Sequence, residues 1–141
     1  MEYLVYRSKA LVLPDSASCK SIVAISTLKN LLFGLTGFLH AEDGLFIQYL
    51  EGPPRPLWDL YSRLPFDERH TDMKLLGHGE LRRPRFRKWS MGYSSSDVMS
   101  LKEFMVEATF KKTPEQASCA EAIWFLMGAS ARIDLGISRS V

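Results

Sequence analysis

The stretch "LTGFLHAEDGLFIQYLEG", residues 35–52, reads as a β-hairpin. Two runs rich in strand formers flank "EDG", whose Asp-Gly pair suits a tight turn. Strand side chains alternate between faces, so Phe46, Gln48 and Leu50 share one side of the second run. Gln48 is out of place there. Burying an amide costs free energy unless its donors and acceptors find partners. Gln48 therefore faces either solvent or a polar object held inside the fold.

Working outward, Tyr3-Leu4-Val5-Tyr6 opens the chain as a strand, and "PDSAS" supplies turn and N-cap residues for a first helix. Ile22, Ile25, Leu28 and Leu32 recur at helical spacing, and Gly34 is a natural stop. After the hairpin, "PPRPLWDLYSRL" begins a second helix with Leu57, Leu60, Tyr61 and Leu64 on one stripe. "MKLLGHGEL" fits a fourth strand and "FRKWSMGY", residues 86–93, a fifth. The order β-α-β-β-α-β-β predicts an α+β domain with two helices on one face of a mixed sheet.

From Ser94 the pattern changes. Leu101, Phe104, Met105 and Ala108 make one short amphipathic helix. "TPEQASCAEAIWFLMGASAR" makes another, with Thr113 as cap and Pro114 at its first position. The division expected is residues 1–93 as a domain and 94–141 as a two-helix cap over the sheet face that the first two helices leave bare.

Composition places the chain among soluble globular proteins. It has 141 residues, 46% hydrophobic and 24% charged, with a formal net charge of +2. That balance gives no prior for nucleic acid or a membrane. Neither a signal peptide nor a bilayer-length apolar run is evident, so a cytoplasmic location is expected. Cys19 and Cys119 have no CxxC spacing, and His40, His70 and His78 have no metal-ligand spacing, so neither zinc nor nucleophilic catalysis is indicated. "RRPRFRK", residues 82–88, carries five charges in seven residues. A solvated loop is favoured there over a dock for an acidic partner or nucleic acid. "EAIWFLMGA", with Trp124, Phe125 and Met127, reads equally as cap core and as oligomer interface.

Polar or polar-aromatic residues fall on elements that should face inward: Tyr6, Asn30, Gln48 and the "WSMGY" end of the fifth strand. Such a set could surround a planar heterocycle with carbonyl and ring-nitrogen edges. On pattern alone the chain is a small α+β domain with room for a ligand between its helices.

Five strings carry more. "YRS" at residues 6–8, Asn30 with "GLTGFL" at 34–39, the Phe46–Gly52 run, "DERH" at 67–70 and "WSMGY" at 89–93 occur in order and in register. Together they resemble the BLUF family, blue-light sensors that use FAD, over residues 1–93. The resemblance implies a ferredoxin-like sheet with FAD held non-covalently between the two helices. It makes Gln48 the switching glutamine, Tyr6 its hydrogen-bond partner and Asn30 the residue that holds the flavin's C4 carbonyl and N3 edge. Met91 and Trp89 match a pair placed near the flavin, and Ser8 a serine close to the network. Ile22 matches an aliphatic ring contact and Ser26 a polar neighbour. Arg63, Arg69 and His70 fall at the ribityl-phosphate end, while Lys29 departs from the residues usual there.

By this resemblance the protein is a photoreceptor and no enzyme. Light-driven electron and proton transfer from Tyr6 to the flavin would rearrange the Gln48 hydrogen bonds. The change would pass through the fifth strand and the C-terminal helices to an effector protein in trans, with a homo-oligomer expected. An acylphosphatase-like enzyme is the alternative from another class, but no Gly-rich anion loop follows the first strand. A light-insensitive assembly module is the other, and the joint presence of Tyr6, Asn30 and Gln48 speaks against it.

Overall fold

The computed structural model describes residues 1–108 and 111–136. Parts of the 94–141 segment, residues 109–110 and 137–141, therefore lie outside the described residues. The elements run β1 (Glu2–Ala10), α1 (Ala17–Phe33), β2 (Thr36–Glu42), β3 (Leu45–Gly52), α2 (Pro54–Arg63), β4 (His70–Glu80), β5 (Gly92–Ser94), α3 (Leu101–Glu107) and α4 (Cys119–Asp134). The sheet order is β4-β1-β3-β2-β5. β1 is antiparallel to β3 and β4, β2 is antiparallel to β3, and β5 is parallel to β2. This is the expected mixed sheet.

The hairpin closes at Asp43 and Gly44, both at positive φ, 48° and 77°, which is the twist a two-residue turn requires. Ser16 caps α1 through the Cys19 N–H, and Gly34 ends it at φ 70°, donating to the Asn30 carbonyl. That cap fixes the backbone at Asn30.

Alternation along the strands divides the core in two. Leu4, Tyr6, Leu39, Phe46 and Leu50 face α1 and α2. Val5, Phe38, Ile47 and Tyr49 face the other way and are covered by Leu101, Met105, Phe125 and Leu126 of the C-terminal helices. The cap thus occupies the sheet face expected for it.

Three local expectations are corrected. The fifth strand spans only Gly92–Ser94, because residues 85–91 form turns and bends instead of a ladder, although the Trp89 carbonyl still accepts from Gly37 N–H of β2 (3.0 Å). The buried Glu51 carboxylate accepts from the Arg85 and Phe86 N–H groups (2.7 and 2.8 Å), and Trp89 N–H closes a turn onto the Phe86 carbonyl (2.9 Å). Next, Thr113 and Pro114 start a separate 3-10 turn, Pro114–Gln116, while α4 begins later with Ser118 and Glu121 as a reciprocal cap. Finally, only the first half of the expected α1 stripe faces inward. Ile22 packs inward with Cys19, Val23 and Asn30, and Ile25 lines the cleft described below, whereas Leu28 and Leu32 are 66% and 80% exposed.

Among the described residues no helix is long and apolar enough to cross a membrane. No group of three His, Cys, Asp or Glu residues among them is placed to hold a metal ion.

Candidate functional site

A cleft partly open to solvent lies between α1, α2 and the sheet. Tyr6, Ile22, Ser26, Lys29, Asn30, Gln48, Arg69, His70 and Met91 all line it, although they come from five separate stretches of the chain. A second cleft, also open to solvent, adjoins it. The two share Lys29, Asn30, Leu60, Leu64 and Asp67 as walls. Arg63 lines only the second.

Tyr6 and Gln48 face each other across the β1–β3 pair, in register. Both are buried, and the Tyr6 hydroxyl donates to Gln48 Oε1. Burial pushes the Tyr6 hydroxyl far above the ordinary tyrosine range, with the Asp67 charge and Tyr61 adding to the effect. Tyr6 is therefore a protonated donor. Gln48 Nε2 donates to the Met91 thioether at 3.4 Å, which is a weak acceptor.

Asn30 Nδ2 donates to the Ser90 carbonyl at 2.5 Å. Its Oδ1 is buried and has no hydrogen-bond partner among the described residues. Buried polar atoms in native proteins nearly always have one. A strong acceptor facing a cleft, beside a weakly satisfied amide, suits a ligand edge that both donates and accepts. The apolar walls Ile22, Leu39, Phe46 and Leu60 suit the faces of a flat ring. The residues present fit a flavin.

The remaining expected residues are placed less uniformly. His70 Nε2 donates to the Leu64 carbonyl, which leaves Nδ1 to accept from Ser8 Oγ in the neutral ring, both at 2.7 Å. Both nitrogens are engaged, so His70 offers the cleft its ring and no free donor. Ser8 stands behind His70 and off the cleft wall. Arg69 forms a two-point pair with Asp67 (2.8 and 2.9 Å), and Arg63 pairs with Asp59 on the exposed side of α2. Lys29 has no carboxylate partner within salt-bridge distance among the described residues, and it faces both clefts.

Trp89 is not part of the cleft. Its indole N–H donates to Ser130 Oγ on α4 at 3.1 Å, and its ring packs edge-on against Phe38 on the cap side. Met91 alone of that pair reaches Gln48. Pattern reading also missed Asp67 and Glu51, which lay inside quoted strings. Asp67 holds Arg69, and Glu51 holds the loop that delivers Met91.

The model of the family described as sensors of blue light using FAD matches residues 1–92. The chain belongs to the BLUF family. The photo-activated state of BlsA has a TM-score of 0.77 over 91% of this chain and 93% of its own, at 22% identity, a likeness of fold. The dark-state structure of BlrB, a BLUF protein, gives 0.71 at 27% identity over 92% and 94%. Photoactivated adenylate cyclase subunit beta of Euglena gracilis is 29% identical over 98 residues, which is 69% of this chain. The match spans only 11% of that cyclase subunit.

Proposed function

We propose that this BLUF chain is a blue-light receptor that binds FAD non-covalently and uses the Tyr6–Gln48 pair as its switch. The observation that carries the reading is the buried hydrogen bond between those residues, with the unpaired Asn30 Oδ1 on the same wall. Asn30 and Gln48 would hold the polar edge of the ring, Ile22 and Ser26 would lie against it, and Lys29 would meet a phosphate or the ring's rim. When bound, FAD supplies the absorption of blue light and an excited-state oxidant. Tyr6 is the oxidisable side chain beside it, and Gln48 Oε1 is placed to take the hydroxyl proton as the phenol loses its electron. Return of proton and electron can leave the Gln48 amide turned or tautomerised. Its donor side then faces the Tyr6 oxygen, and its acceptor side leaves that contact.

The change reaches the surface through residues 89–91. Met91 touches Gln48, the Ser90 carbonyl accepts from Asn30, and Trp89 holds Ser130 of α4. Three consecutive residues therefore join the switch to the cap, so a new set of bonds at Gln48 biases how α4 packs. Residues 1–93 act as the sensor and 94–141 as the output segment, read in trans by an effector protein. The test is Gln48→Leu: it should retain FAD but lose the light-induced red shift. A normal photocycle in that variant would sink the switch assignment.

A further inference from the structure

We propose that the outer face of α1 is an interface for a second copy of this chain, with the two helices antiparallel about a two-fold axis at Ala24. Ala17, Ser21, Ala24, Leu28 and Leu31 recur at alternating steps of four and three, the spacing of a coiled-coil seam, and all five are exposed. None of them lines either cleft, and the first cleft is walled on the α1 side by Ile22, Ile25, Ser26, Lys29 and Asn30. Leu32 flanks the seam, 80% exposed. The charges on α1 are Lys20 and Lys29, both off the seam, and the helix has no carboxylate.

The seam tapers, and the taper selects the occupant. Its N-terminal half is small (Ala17, Ser21, Ala24) and its C-terminal half is large (Leu28, Leu31). Antiparallel pairing sets Leu28 against Ser21 of the second copy and Leu31 against Ala17, with Ala24 meeting Ala24. Large side chains then fill the space beside small ones along the whole seam. A parallel pair would crowd leucines at one end and leave a gap at the other. The antiparallel arrangement uses the same patch on both copies and closes on itself, as a two-fold dimer must.

The area is at the lower limit. Leu28, Leu31 and Leu32, at 66, 64 and 80% exposure, dominate the patch. With the small residues they present on the order of 500 Å² per copy, so a dimer would bury at most about 1,000 Å², the least a specific interface needs. An apolar patch of that size is at the upper end of what a monomer surface carries. A lipid surface fits less well, since two lysines make a weak basic flank and a bilayer gains nothing from the taper.

Sedimentation velocity on the full chain at micromolar concentration reads this directly. The chain should run as a dimer. Leu28→Glu with Leu31→Glu should run as a monomer with an unchanged far-UV circular dichroism spectrum. In a Cys119→Ser background, Ala24→Cys should give a disulfide-linked dimer on mild oxidation. Ala17→Cys should crosslink only when mixed with Leu31→Cys chains. A monomeric parent chain, a dimer that survives the double substitution, or an Ala17→Cys chain that crosslinks to itself would each overturn the proposal.

Discussion

Trp89 and Met91 stand two residues apart and lie on opposite faces of the sheet: the indole bonds to Ser130 of α4, while the thioether meets Gln48. In a continuous strand they would share a face. The bend that separates them is held by Glu51, whose carboxylate accepts from two loop N–H groups, from Thr36 Oγ1 and from the Tyr49 hydroxyl.

Removing that clamp should therefore be costly. Glu51→Ala leaves the buried Phe86 N–H, the part-buried Arg85 N–H and two hydroxyls without their acceptor, and a loss of about 3 kcal/mol is expected. Urea unfolding of parent and variant measures it. A change below about 0.5 kcal/mol would mean that the loop holds its shape unaided.

Asn30→Ala tests the open acceptor. It removes both the hydrogen bond to the Ser90 carbonyl and the unpaired Oδ1, so FAD should be retained at least about tenfold more weakly. Ultrafiltration of the reconstituted protein at fixed FAD reads the free fraction. Equal retention would remove Asn30 from the ligand edge.

Trp89→Phe separates switch from output. The ring still packs, but the hydrogen bond to Ser130 is lost, at about 1 kcal/mol of stability. The red shift in blue light should persist, while the light-dependent change in hydrogen exchange of α4 shrinks. Loss of the red shift itself would place Trp89 in the switch.

Glu42 gives the cap a pH dependence. Burial would raise its carboxyl, but the His40 hydrogen bond, the Leu101 and Lys102 N–H groups and the His40 charge outweigh that and hold it at about 2, below the ordinary 4.5. A depressed folded value means that the stabilisation is fully present above about pH 4.5 and is lost as pH falls toward 2. It amounts to about 3 kcal/mol. Glu42→Gln should flatten the fall in stability across that window, read from thermal unfolding at successive pH values. An unchanged acid limb would contradict the assignment.

Much of this was legible in the sequence because it depends on local periodicity. Alternation in β3 placed Gln48 beside Phe46 and Leu50, and Asp43-Gly44 marked the turn. The 3.6-residue pattern of α2 put Leu57 in the core. The misses depend on tertiary partners. Strand formers in "FRKWSMGY" gave no sign that Glu51, far away in sequence, would pull that segment into a bend. The stripe on α1 had the period of a buried face, but periodicity does not say which of two apolar faces meets the sheet. Arg63 and Arg69 were assigned to the ribityl-phosphate end by resemblance, which did not weigh their near neighbours in sequence, Asp59 and Asp67, as partners.

The most direct measurement is the absorption spectrum of the FAD-reconstituted chain in the dark, after blue light and through dark recovery, run beside Tyr6→Phe. The account predicts a bound-flavin spectrum that shifts slightly to the red and returns in the parent chain, with no shift in Tyr6→Phe. A flavin that binds and shifts equally in both chains would contradict it.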